Sequence, residues 1–154
     1  MPASDWLGDQ TTSTFLFTVD GVEIGEFTEV RGLEMHVDVV RYAEGGANGY
    51  VHQLPGRVQW PNLILVGGLT KGDALFKWVL DCTGDKLESN GNKLERRTGA
   101  LTSLRVDSTP MRSWEFDGAF PVRWIGPRFA VDEKGTPIEE LEIAHHGFRP
   151  RDLG

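Results

Sequence analysis

The chain has 154 residues, 39% of them hydrophobic and 25% charged, a length and balance that fit one globular domain and exclude a disordered chain. Its 23 acidic and 16 basic residues leave a net charge of −7, and the basic clusters are confined to Arg96-Arg97 and Arg149 to Arg151, too little for a surface that neutralises nucleic-acid phosphates. The single cysteine, Cys82, rules out an intrachain disulfide and a thiolate metal set, while the start Met1-Pro-Ala-Ser-Asp-Trp6 lacks a secretory pattern and no run reaches about 18 apolar residues. A protein made in a reducing cytoplasm, without a membrane segment, is the expectation.

Residues 1–12 are polar and Ser/Thr-rich around Trp6, the composition of a terminal arm, and the β domain is expected to run from residue 13 to 154. Phe15, Phe17 and Val19 alternate with polar or outward positions as in a strand, and Asp20-Gly21 supplies the two positive φ angles of a type I′ turn. The return strand runs from Val22 to about Val30, Arg31-Gly32 breaks it, and a third strand follows from Met35 to Tyr42. Residues 44–57 hold four glycines and no apolar period, so they read as a long functional loop. Val58 to Val66 reads as a further strand with Pro61 marking a bulge or free edge.

Thr70 is placed as the N-cap of one helix, with Leu75, Phe76, Val79 and Leu80 on its apolar face and Gly84 at its end. Residues 85–97 read as an exposed connection, and three strands follow at roughly 100–107, 112–124 and 138–147. The sum is mainly β: a β-sandwich or partly open β-barrel of about seven strands with one α-helix packed at one end.

Chemistry-bearing residues do not converge. His145 and His146 are neighbours that point to opposite sides and cannot share one metal ion, and Glu139, Glu140 and Glu142 alternate with the core positions Leu141 and Ile143 as a solvated stripe. Neither a nucleophile elbow nor a phosphate-cradling loop before a helix occurs, which leaves an enzyme or a cofactor without residues to rest on.

Taken together, the tract Phe15 to Trp78, the Leu54-Pro55-Gly56 turn, the strands Trp114 to Trp124 and the stretch Glu139 to Phe148 resemble, in their order and spacing, the tail-tube family of contractile phage tails and extracellular contractile injection systems. The resemblance implies a tail-tube-like fold whose subunits close into stacked homohexameric rings around a continuous luminal β-barrel. Trp114, Phe116, Ala119, Pro121 and Trp124 match the family's late strand pair, and Glu140 to Gly147 its closing strand. Tyr42, Tyr50 and Leu54-Pro55-Gly56 match a loop that reaches a neighbouring subunit or the next ring. One departure stands out: Val66-Gly67-Gly68-Leu69 lacks the basic residue that usually precedes the helix there.

Candidate subunit or ring contacts are therefore Trp6, Tyr42, Asn48, Tyr50, His52, Leu54, Pro55 and Trp60, and Glu23, Glu34 and Asp38 are candidates for an acidic lumen that DNA or acidic cargo slides past. The partners implied are further copies of the chain, a sheath protein, baseplate and spike proteins, and a tape measure or cargo in the lumen. Kindred roles within the same fold are a tube-initiating baseplate ring and the haemolysin-coregulated protein of type VI secretion. The class that would contradict all of these is a small β-rich enzyme or ligand-binding module.

Overall fold

The computed structural model of the chain describes residues 12–43, 49, 51–70, 72–83, 97–127 and 138–153. They form strands β1 (Thr14–Val19), β2 (Val22–Phe27), β3 (Glu29–Arg31), β4 (His36–Tyr42), β5 (His52–Gln59) and β6 (Leu63–Thr70), helix α1 (Gly72–Cys82), and strands β7 (Arg97–Leu104), β8 (Pro110–Ile125), β9 (Glu139–Ala144) and β10 (Phe148–Arg151). The fold is mainly β, as the alternation of the sequence implies. The expected type I′ turn is present, with φ of 50° at Asp20 and 81° at Gly21, and it joins β1 to β2.

Two sheets enclose the core. One orders its strands β10, β8, β7, β1, β2, all antiparallel to their neighbours, and the other runs β3, β6, β9 and the last residues of β8; the two are also laddered to each other where the end of β6 pairs with Gly25 and Glu26 of β2. Strand β8 belongs to both. Its 16 residues pair with β7 as far as Ala119 and with β9 from Phe120, and Gly118 at φ 61° marks the corner between the sheets. Inward positions of every layer meet in one cluster: Phe17, Val19, Ile24, Phe27, Leu63, Leu65, Leu101, Phe116, Leu141 and Ile143.

Helix α1 packs against β2 and β8. The face it buries is Leu75, Trp78 and Cys82, spaced i, i+3, i+7, with the Trp78 ring 5.9 Å from Phe17. The expected stripe is thus rotated by about one residue: Phe76 and Leu80 are exposed, because Trp78 is the side chain long enough to reach the Phe17 layer. Thr70 is also not an N-cap. β6 continues through it by pairing with Gly25, and the helix begins at Gly72, with Asp73 favourably placed in its first turn.

Further boundaries differ for identifiable reasons. The return strand breaks at Thr28, whose amide bonds the Val66 carbonyl instead of a partner on β1, so β2 and β3 enter different sheets. The expected strand from Val58 to Val66 is two strands separated by Trp60–Asn62, and the expected loop 44–57 ends in strand β5 from His52 onward. The last expected strand, 138–147, ends as β9 at Ala144, and β10 follows as a strand not expected, after a turn over residues 145–147 pinned to β8 by the Asp117 amide donating to the Gly147 carbonyl and the His146 amide to the Asp117 carbonyl. Trp6, Asn48, Tyr50, Gly84 and most of the 85–97 connection lie outside the described residues.

One buried ion pair fastens the helix to the sheet. The Asp81 side chain, only 2% exposed, accepts a 2.8 Å bond from the Arg97 guanidinium at the start of β7, and Asp20 in the first turn approaches the same guanidinium at 3.7 Å. Removing one member of such a pair strands a charge out of water. Arg97→Met, which keeps the apolar stem, is expected to lower unfolding free energy by about 3 kcal/mol, read as a shift in the urea midpoint at constant slope.

Candidate functional site

Strands β4 and β5 form a two-stranded ribbon that belongs to neither sheet's packing. It is the outward continuation of the β3–β6 pair in unchanged register: Glu29 faces Val66, Arg31 faces Ile64, then His36 faces Gln59 and Val37 faces Val58. Between them the two chains bend, at Gly32–Met35 on one side and Trp60–Asn62 on the other. Gly32 has φ 78°, and any Cβ there would overlap the Asn62 carbonyl oxygen, so the bend needs glycine on both counts.

The ribbon exposes apolar side chains on both faces. Val40, Tyr42, Leu54 and His52 share one face, with Tyr42 and His52 stacked at 5.4 Å, while Val37, Val39, Pro55 and Val58 share the other. Each of these valines, Tyr42 and Leu54 is about half exposed. Toward the root the first face turns polar, where the Gln59 amide donates to both carboxylate oxygens of Asp38 at 3.0 Å and Glu34 lies 3.4 Å from His36. A bulge at Gly56–Arg57 adds one residue to β5, and this shift of period is what disguises the strand as a loop.

Isolated two-stranded hairpins are marginal in water, and edges rich in valine promote association. On this ribbon such a composition leaves apolar side chains at the surface. The candidates Tyr42, His52, Leu54 and Pro55 all stand on it. Trp60 does not: it is half buried at the bend, edge-on to Phe148 at 5.2 Å and near His145 at 6.2 Å.

The wall from which the ribbon extends has a patterned outer face. Opposite the core, Arg31, Ile64, Glu142 and Arg123 form one cross-strand row, and Glu29, Val66, Glu140 and Ile125 the next. Arg31 bonds Glu29 at 2.9 Å and holds its carboxyl below the usual carboxylate range, and Asn62 donates to Glu142 at 3.2 Å. Of the acidic lumen candidates, Glu34 and Asp38 lie at the ribbon root beside this wall, whereas Glu23 stands on β2 in the other sheet.

Both long edges of the wall are open. Among the described residues, β3 has β6 as its ladder partner, β4 has β5, and Arg123–Ile125 of β8 pair with β9 on one side. Because β3, β6, β9 and the end of β8 alternate in direction, the two outer edges run antiparallel to each other. Among the described residues no group of three or more His, Cys, Asp or Glu could hold a metal ion, and no helix is long and apolar enough to cross a membrane.

The family model of the T4-like virus tail tube protein gp19 matches residues 11–149, which takes in both sheets, the helix and the ribbon. The chain belongs to this tail tube family. It is a structural tube subunit, and the order of elements read from the sequence carried that assignment. No curated protein sequence matches it. Among solved structures it is similar to a chain of the sheath–tube complex of an extracellular contractile injection system, PVC, in the extended state, at 18% identity and a TM-score of 0.72, covering 99% of this chain and 100% of that one. It is also similar to the tube terminating cap of the anti-feeding prophage, at 21% identity, TM-score 0.69 and coverage of 92% and 89%. A chain of the six-fold symmetrised baseplate of the same particle follows at 18% identity, TM-score 0.65 and coverage of 93% and 95%. These likenesses show a shared fold.

Since the ribbon contributes nothing to the core, Tyr42→Ala and Leu54→Asp are expected to leave the unfolding free energy of the isolated subunit within about 0.5 kcal/mol. Urea denaturation below the concentration at which the protein associates measures this.

Proposed function

We propose that six copies of this chain close head to tail into a ring whose pooled wall strands form one luminal β-barrel, and that the rings stack into the inner tube of a contractile injection particle or contractile phage tail. The observation that carries this reading is the pair of open, mutually antiparallel wall edges next to an apolar ribbon. The β3–β4 edge of one copy fits beside the end of β8 in the next without breaking the antiparallel alternation, so a rotation that closes leaves no unpaired edge.

The ribbon then lies against an adjacent copy in the ring or in the next ring, burying Val37, Val39, Val40, Tyr42, Leu54 and Val58, with Asn48, Tyr50 and Trp6 as further contacts. The outer face of the wall becomes the lumen surface. Its Glu29, Glu140 and Glu142, with Glu34 and Asp38 at the ribbon root, present carboxylates that discourage adhesion of DNA or acidic cargo, moderated by Arg31 and Arg123. The role is mechanical and non-catalytic, within a particle that has a sheath outside the tube and a baseplate and spike at its end. Assembly takes place in the bacterial cytoplasm.

A second reading within the family is a ring that starts or ends a tube, favoured by the likeness to a terminating cap and to a baseplate chain. Negative-stain electron microscopy of the purified protein over a concentration series decides among these. The expected result is hollow rings that stack into tubes, lost in Leu54→Asp and in Val39→Asp. Rings that never stack would assign the terminal role, and a monomer at every concentration would overturn self-assembly.

A further inference from the structure

His145 lies away from the ribbon and is 7% exposed, whereas its neighbour His146 is exposed. It follows β9 in the turn pinned to Asp117, with the rings of Phe116 at 5.0 Å, Phe148 at 6.1 Å and Trp60 at 6.2 Å around it. Both ring nitrogens are committed. The Gly147 amide donates to Nδ1 at 3.0 Å, so Nδ1 carries a lone pair, and the proton on Nε2 is donated to the Pro61 carbonyl at 3.0 Å. This arrangement exists only for the neutral imidazole in its Nε2–H tautomer.

The two partners belong to different parts of the molecule. Gly147 lies in the β9–β10 turn, whereas Pro61 lies in the bend from which the ribbon leaves the wall. The turn keeps two backbone bonds to Asp117 whatever the imidazole does. The bend has fewer ties on this side: the Pro61 carbonyl on His145, and the Trp60 ring packed on Phe148 and against Gly147, where φ 124° and the close indole leave no room for a Cβ.

We propose that His145 is an acid-released clasp: protonation of Nδ1 expels its ring from the aromatic pocket, frees the Trp60–Asn62 bend and uncouples the ribbon from the wall. A second proton on the ring would point an N–H at the Gly147 N–H and place a cation among three aromatic rings out of water. Burial, opposed by the Pro61 carbonyl, holds the His145 pKa below its ordinary value of 6.5, and the neighbouring His146 acts in the same direction. The unfolded or released histidine binds its proton at higher pH than the clasped one. The clasp's contribution is therefore complete above about pH 6.5 and declines as pH falls below it.

Other charged groups near the junction are already paired or exposed. They are His146 in the turn, Asp117 and Glu115 of β8 with Arg149 of β10, Glu142 of β9 with Asn62, Glu29 with Arg31, and Glu34 with His36 and Asp38 with Gln59 at the ribbon root. His36 and His52 stand on the ribbon itself, so the test must separate them from His145.

This inference rests on the assembly reading only in making ribbon release a control on the tube; the clasp itself is a property of one chain. Hydrogen–deuterium exchange of the full chain at pH 7.5 and 5.0, corrected for intrinsic rates, follows peptides over 52–66 against those of β1 and β7. The expected result is at least a tenfold loss of protection in 52–66 at pH 5.0, unchanged protection in β1 and β7, and no such loss in His145→Gln, whose amide can donate to Pro61 but does not titrate. Unchanged protection in the natural protein, or an equal loss in His145→Gln, overturns the clasp. Should the variant not fold, an NMR titration of the natural protein decides: a His145 pKa below that of His146 supports the clasp, and one at or above 6.5 overturns it. Loss of ribbon protection in a protein that forms no rings at any pH would leave the clasp standing and sink the assembly reading.

Discussion

An unbroken register between residues 29–37 and 58–66 governs how this molecule presents itself. Because the pairing does not slip at the bend, the ribbon remains an extension of the wall in direction and pleat, with its side-chain alternation set by the same ladder. A slip of one residue would exchange the faces of Val37, Val39 and Val58 with those of Val40, Tyr42 and Leu54. Both groups are apolar, which a free strand could tolerate. The bend is not so permissive, since Gly32 must sit against the Asn62 carbonyl and Trp60 against Gly147, and these two contacts hold the register where packing on the ribbon does not.

The ribbon is also where the cost of folding is least repaid within one chain. Ordering its backbone costs on the order of 1 kcal/mol per residue, while its side chains stay about half exposed. In the assembly proposed above, burial against another copy offsets that entropy. Assembly and ribbon order are on this account one event, and a junction that weakens the bend acts on both.

What the sequence makes legible follows from the physics of each element. The Asp20-Gly21 turn, the β1 alternation and the core positions Leu141 and Ile143 are local and periodic, and they stand as read. The ribbon's second strand is not legible, because Gly56 and Pro55 are poor strand formers and the bulge beside them shifts the period by one; cross-strand pairing with β4 overrides both. The helix face misleads for a different reason: Leu75, Phe76, Val79 and Leu80 fit a helical stripe as well as Leu75, Trp78 and Cys82 do, and only the position of Phe17 across the core selects between them. His145 and His146 read as neighbours within a strand, yet both lie in the turn after β9 and His145 is buried; its partner Pro61 is 84 residues away, and no local pattern announces such a bond.

Strand β8 carries a consequence of its own. One covalent backbone of 16 residues is laddered to β7 and β10 along its first part and to β9 along its last. A force applied along β8 in the wall thus reaches the β10–β8–β7 sheet through peptide bonds and through ladders loaded in shear, where many hydrogen bonds must yield together. Continuity of one backbone through both sheets couples them in a way that no pair of strands joined by a loop would.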